Sequence, residues 1–266
     1  MTENFTDSVF NLFTRHVSVR SFDSQKRLPK DTVNILMKAA QRASTSSNFQ
    51  SWSAIIVENK SNKKQLAQYC ANQKFIDEAP LFIIFCADAS RHKWLTKERN
   101  FKFNSNYLDL LLVSAIDSAL ACQNALIMAE SMGLGCCMVG SIRNKAKEVS
   151  EFLKLPKMSF ATVGLAVGYP SFKNKVKPRL PKEVIINYEQ YSTKNKEIFI
   201  KEYDSLMSET DIYKNRRVHV PGITPQFEED VNHYGWIEHT ARRMAKGNEM
   251  RSQLARFLEK QGFSLK

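Results

Sequence analysis

The chain has 266 residues, 43% hydrophobic and 25% charged, the composition of a folded chain rather than a disordered or fibrous one. That length supports a sizeable core in one large domain or two small ones, and no run reaches the ~18 uninterrupted apolar residues of a membrane helix. The net charge of +12 admits nucleic acid, a membrane surface or anionic small molecules as partners. The excess is scattered, with concentrations near Lys173 to Lys182 and Arg242 to Lys246. Without an RNA-binding motif or zinc finger, phosphates on small cofactors account for it most economically.

Phe5 to Arg15 places Phe5, Val9, Leu12 and Phe13 on one side of a first helix. His16-Val17-Ser18-Val19-Arg20-Ser21-Phe22 is too short and mixed for a regular element and reads as a loop. Pro29 opens a second helix to about Ala43, with Val33, Leu36, Met37 and Ala40 at helical spacing. Ser44-Thr45-Ser46-Ser47-Asn48 breaks it. Trp52 to Val57 reads as a strand, Lys60 to Asn72 as a helix, and the apolar run Leu81 to Ala87 as a buried strand. A long buried amphipathic helix is expected from about Asn106 to Met132. Its apolar run is interrupted by Ser114, Asp117, Ser118, Gln123, Asn124 and Glu130, and Gly133-Leu134-Gly135 stops it. Cys136 to Gly140 reads as a short strand, Lys145 to Leu153 as a short helix, Ala161 to Gly168 as a strand and Lys173 to Pro181 as a basic loop. Beyond these, Lys196 to Ser208 and Glu249 to Gln261 read as helices. The stretch between them, with Pro221, Gly222, Pro225 and Gly235, reads as largely irregular. This tail is too poor in apolar residues to fold alone and must pack on the body or on a partner. A single α+β domain over 1–266, with 195–266 as an extension, is therefore expected. No GxGxxG follows the first strand, so a Rossmann reading is unsupported.

Met1 to Asp7 has neither a basic nor an apolar leader region, so cytoplasmic placement is expected. The five cysteines are odd in number and lack metal-type spacing. Four of them sit in apolar segments and read as small buried thiols, with a redox role for the adjacent Cys136 and Cys137 left open.

Several segments carry groups suited to a phosphorylated, ring-bearing ligand. His16, Ser18 and Arg20 alternate in an extended loop and present an imidazole, a hydroxyl and a guanidinium to one side, which suits a phosphate. Ser44 to Gln50 is dense in short hydroxyls and amides. Gln73 supplies a carboxamide that both donates and accepts. Met138-Val139-Gly140-Ser141 ends a strand where a flat ring could approach backbone amides. Lys177-Pro178-Arg179 sets two cations across a rigid proline, and Asn215-Arg216-Arg217 could meet dinucleotide phosphates. Each also has a plainer reading as a solvated loop, polar connector, helix end, strand end or surface basic run, and none specifies a ligand alone.

In this order the pieces resemble the nitroreductase superfamily, in its NADPH-dependent oxygen-insensitive nitroreductase and flavin reductase branch. The resemblance runs from about Arg15 to the C-terminal helix. It is carried by His16 to Phe22, Ala43 to Gln50, Gln123 to Gly135 and Lys177-Pro178-Arg179-Leu180-Pro181. It implies an α+β fold with a mainly antiparallel sheet, and an interlocked homodimer sharing two FMN sites. His16, Ser18, Arg20, Lys177 and Arg179 would hold the phosphate end. Thr45, Ser46 and Gln73 would meet the ribityl chain and ring, and Met138, Val139, Gly140 and Ser141 would lie against the isoalloxazine. Arg216 would help bind the NADPH phosphates. Val17 stands where an arginine is common and Ser141 where a second glycine is common. Asp211 lies near the position of a further arginine in NADPH-specific relatives, which leaves NADPH against NADH open.

The resemblance implies hydride transfer from a reduced nicotinamide to FMN and on to a small acceptor such as a nitroaromatic, a quinone or free flavin. No protein nucleophile, metal, nucleic acid or membrane partner is expected. The alternatives are an FMN-dependent disulfide reductase using Cys136 and Cys137, and a basic binding protein that kept the fold without catalysis.

Overall fold

The computed structural model describes residues 5–105, 107–210, 212–213, 216–220, 234–246 and 251–266. Along the chain run α1 (Phe5–Thr14), α2 (Thr32–Ala40), β1 (Trp52–Val57), α3 (Lys60–Tyr69), α4 (Phe75–Glu78), β2 (Leu81–Asp88), α5 (Ser90–Glu98) and α6 (Asp109–Ser131). They are followed by β3 (Gly135–Val139), α7 (Ala146–Phe152), β4 (Ser159–Gly168), α8 (Lys182–Ile185), α9 (Lys196–Ser208), α10 (Trp236–Lys246) and α11 (Leu254–Gln261). These form two compact units, Met1–Lys175 with Met250–Lys266, and Val176–Glu249.

The first unit is built on an antiparallel sheet of order β1-β2-β4-β3. All of β2 is buried, as the apolar run Leu81 to Ala87 requires. Alternation sends its side chains to opposite faces. Phe82, Ile84 and Cys86 join one cluster with Leu66, Phe75, Ile76 and Val149 from α3, α4 and α7. Leu81, Ile83 and Phe85 join a second with Leu36 of α2 and Ala121, Ala125 and Ala129 of α6. Each such aliphatic or aromatic side chain contributes about 1.5–3 kcal/mol through burial. A third cluster sets Leu258 and Phe263 from the C-terminal segment against Leu110, Met158 and Phe160.

All four expected strands form, with ends shifted by at most two residues. The second helix is shorter than expected. Pro29 lies in the preceding turn, its carbonyl accepting from the Thr32 amide at 3.0 Å, and the helix closes at Ala40 before the polar loop. Four helices were not foreseen, the one-turn α4 and α8 and the longer α5 and α10. α5 buries no side chain, so it shows no apolar period. α10 falls in the stretch read as irregular. Its start is held from another element, the Ile237 amide donating to Asp204 Oδ1 at 2.6 Å and Tyr203 meeting Trp236 edge-on at 5.5 Å.

α6 departs from the expected amphipathic pattern. Ser114, Asp117 and Ser118, which interrupt its apolar run, are buried at 0%, 1% and 0% exposure, while Leu112, Ile116 and Leu120 are exposed at 49%, 57% and 40%. By length and composition it could cross a membrane, yet half of its most apolar window is buried within the unit.

Candidate functional site

The His16–Phe22 segment is pinned along one edge of the sheet. Ser18 forms a parallel bridge with Cys136 and Phe22 an antiparallel one with Pro170. The Val19 amide donates to the Cys136 carbonyl at 2.8 Å. The close approach requires Gly135, where an added Cβ would lie 2.7 Å from Val19 Cγ2. Val19 is buried at 3% exposure, and its neighbours Ser18 and Arg20 are turned outward by alternation. Arg20 is exposed and makes no hydrogen bond or ion pair among the described residues. His16 Nδ1 meets Glu130 Oε1 at 2.6 Å, which orients the ring and leaves Nε2 available.

β3 runs parallel to this segment and carries the next set. Cys137 and Val139 are buried at 1% each, while Met138 between them is 37% exposed. Past the strand, the Ser141 hydroxyl donates to Gln73 Oε1 at 3.1 Å, joining two predicted residues 68 positions apart. Gln73 sits in the turn between α3 and α4 rather than at a helix end, after Ala71 and Asn72 at φ 61° and 55°. Its amide nitrogen makes no hydrogen bond among the described residues. The turn at Gly140 is braced by two cations. The Arg143 guanidinium, which donates to the Thr162 carbonyl, lies 3.4 Å from where a Gly140 Cβ would project. Arg251 donates to the Gly140 carbonyl at 2.9 Å and to Asn144 Oδ1 at 3.1 Å. Burial, and then the nearby Arg251 charge, lower the Arg143 pKa.

The Thr45–Ser51 loop is held elsewhere, at the start of β1 and the middle of α6. Thr45 Oγ1 donates to Asp117 Oδ2 at 2.6 Å and accepts from the Gln50 amide at 2.8 Å. The Ser46 amide donates to Asp117 Oδ1 at 3.2 Å and the Ser51 amide to Oδ2 at 2.9 Å. The His92 ring nitrogen contacts the Phe49 carbonyl at 3.0 Å. No hydrogen bond among the described residues joins this loop to Gln73 or Ser141.

Lys177, Arg179 and Arg216 belong to the second unit. Lys177 is half-buried and Arg179 and Arg216 are exposed. Burial raises the Tyr203 pKa and the Arg179 charge partly offsets the rise. Arg216 lies beside a ring cluster in which Tyr213 stacks on His239 at 4.4 Å, and the Arg217 guanidinium stands 5.4 Å from the centre of the Tyr234 ring. Asp211 and Asn215 lie outside the described residues.

Cys136 and Cys137 are separated by the strand itself, Cys136 in the cluster below the sheet face covered by α2 and α6 and Cys137 in the opposite one. Burial pushes the Cys70 and Cys86 thiols up to about 12 and Cys136 well above its ordinary range. Exchange needs an accessible thiolate, so this geometry opposes the dithiol alternative. A cavity of about 670 Å³ between α7 and α11, lined by Lys154, Arg256 and Phe257 among others, contains none of the predicted residues.

The groups at the sheet edge fit FMN. An uncommitted guanidinium meets the need of a phosphate, a carboxamide with a spare donor that of a pyrimidine edge, and an exposed methionine that of an apolar ring face. Asp117, Glu130, Arg143 and Arg251 were not foreseen as supporting residues. For the two acids a signal existed, since each is a lone acid within an apolar helical run, where burial demands a partner.

Comparison with known proteins follows the same lines. A family model described as "Nitroreductase family" matches residues 14–169, and one described as "Nitroreductase family, C-terminal domain" matches 177–266. An "FMN reductase (NADPH)" of Bacillus subtilis is 38% identical over 205 residues, 76% of this chain and 81% of that one. An "Oxygen-insensitive NADPH nitroreductase" of Salmonella typhimurium is 31% identical over 254 residues, 95% and 97% of the two chains. The solved NfrA1 nitroreductase of Bacillus subtilis superposes with a TM-score of 0.85 at 32% identity, covering 97% of this chain and 100% of that one.

Proposed function

The chain belongs to the nitroreductase family, and from that premise we propose that it is an FMN-dependent oxidoreductase that takes electrons from NADPH or NADH and reduces a nitroaromatic, a quinone or free flavin. When bound, FMN would supply the redox chemistry between donor and acceptor, so the protein's part is binding, orientation and charge stabilisation. The observation that carries this reading is the Ser141–Gln73 hydrogen bond beside the strand-bridged His16–Arg20 segment. With the Ser18–Cys136 bridge it joins three sequence-distant segments at one sheet edge.

Arg20 and Ser18, with His16 held by Glu130, would take the phosphate, together with Lys177 and Arg179. Gln73 would address the pyrimidine edge, and Met138 to Ser141 the ring, with Arg143 and Arg251 adding positive charge behind the Gly140 turn. That charge favours an electron-rich ring. Ser46 would complete the ribityl and ring contacts, with Thr45 holding its position through Asp117, and Arg216 would bind nicotinamide dinucleotide phosphates.

The proposed assembly is a homodimer. The exposed stripe Leu112, Ile116 and Leu120 on α6 supports it, since such a stripe marks an interface. So does the separate anchoring of the Thr45–Ser51 loop, which a second copy could bring to the sheet edge. Five free thiols agree with placement in a reducing cytoplasm.

Purified protein is expected to be yellow, or to become so on adding FMN, and to be bleached anaerobically by a reduced nicotinamide. Protein that stays colourless with excess FMN overturns the proposal. Stopped-flow reduction with NADPH and NADH separately sets the donor preference.

A further inference from the structure

Between Thr45 and Ser51 the chain adopts backbone that side chains disfavour. Ser47, Asn48 and Gln50 have φ of 48°, 55° and 51°, none is glycine, and each such residue costs free energy that its surroundings must offset. Besides the Phe49 amide on the Ser46 carbonyl, the Trp52 amide on the Gln50 carbonyl, the Gln50 carboxamide on Asn48 Oδ1 and the His92 ring on the Phe49 carbonyl, those surroundings supply one buried carboxylate. Asp117, 1% exposed on the core side of α6, accepts from the Thr45 hydroxyl and from the Ser46 and Ser51 amides. The dependence is mutual, because a buried carboxylate without donors is strongly disfavoured and the loop supplies all three. Thr45 is thereby used up locally, its proton given to Asp117 and one lone pair to the Gln50 amide. The hydroxyls of Ser44, Ser46 and Ser47 are exposed and make no hydrogen bond among the described residues.

We propose that Asp117 is a positioning residue. It locks the 45–51 loop before ligand arrives, through Thr45 as an intermediary, so that the neighbouring serine hydroxyls and not Thr45 face the ligand. The identity of that ligand as FMN rests on the proposed function; the locking of the loop does not. Preorganisation of this kind strengthens binding by removing an ordering cost.

The test uses the full-length protein and the variants Asp117→Asn, Thr45→Val, Thr45→Ser and the double Asp117→Asn/Thr45→Val. Hydrogen exchange at the Ser46 and Ser51 amides is measured without flavin, and FMN affinity and thermal midpoint are measured for each. Asp117→Asn and Thr45→Val are expected to speed exchange at both amides and to raise the FMN Kd by about tenfold. Thr45→Ser, which keeps the hydroxyl, should match the parent. The double variant should be no weaker than the weaker single one, because both act on one linkage. Unchanged exchange overturns the proposal, and so do additive losses in Kd, which would make Thr45 an independent contact. If the parent protein does not bind FMN, the flavin reading fails and the exchange data alone decide the role of Asp117. Should Asp117→Asn not fold, the contrast between Thr45→Val and Thr45→Ser decides.

Discussion

At the scale of single residues, the site depends on which polar groups remain uncommitted after folding. Arg20 is turned out by the burial of Val19 and is not engaged by the described residues, so its charge is available to a phosphate. Arg20→Ala is expected to raise the FMN Kd by about tenfold to a hundredfold, the loss of one charge-assisted contact, measured as flavin retained after dialysis. Unchanged occupancy would remove Arg20 from the phosphate end. The His16–Ser18–Arg20 alternation was legible because extended backbone repeats every two residues. The consumption of the Thr45 hydroxyl was not legible, because its partner Asp117 lies 72 positions away. Proximity across that separation is a property of the packed helix.

At the scale of elements, α6 shows how packing overrides pattern. Ser114, Asp117 and Ser118 look into the core beside Ala121, Ala125 and Leu126, and its Leu112–Ile116–Leu120 stripe looks out. A charge placed on a dimer interface would be buried without a partner. Ile116→Glu is therefore expected to yield monomers by light scattering and to lose flavin, whereas an intact dimer would exclude this stripe as the interface. In the second unit, His239 of α10 stacks on Tyr213 and lies 3.4 Å from the Tyr234 hydroxyl. Burial, followed by the charges of Arg243 and Arg216, lowers its pKa below 6.5. The unfolded chain then takes up the proton first as pH falls, so the folded state loses stability as pH drops through that value. The thermal midpoint should fall between about pH 7.5 and about 5.5 by more in the parent than in His239→Phe, which keeps the stack but cannot titrate. Equal pH dependence in the two would show that His239 is not the titrating group.

At the scale of the whole molecule, the chain leaves the first unit after Lys175 and returns at Met250. Its last residues close a cluster that its middle began, with Phe263 meeting Phe160 edge-on at 5.7 Å and buried to 3% exposure. Phe263→Ala is expected to cost about 3 kcal/mol, the usual range for a buried aromatic truncation, read from denaturant unfolding. We propose that 1–266 unfolds as one domain, so the parent should show one transition by fluorescence and circular dichroism alike. Two separated transitions would divide it. The sequence by itself determined the four strands, the main helices and the residue types that a phosphorylated flavin requires. Period-two and period-3.6 patterning and the chemistry of side chains are local properties. Tertiary structure alone decided that α6 buries Ser114, Asp117 and Ser118, that Glu130 orients His16, that Arg251 braces the Gly140 turn and that Asp117 sets the 45–51 loop. Those partners lie far apart along the chain, and buried polar groups find one another only when the elements carrying them are packed.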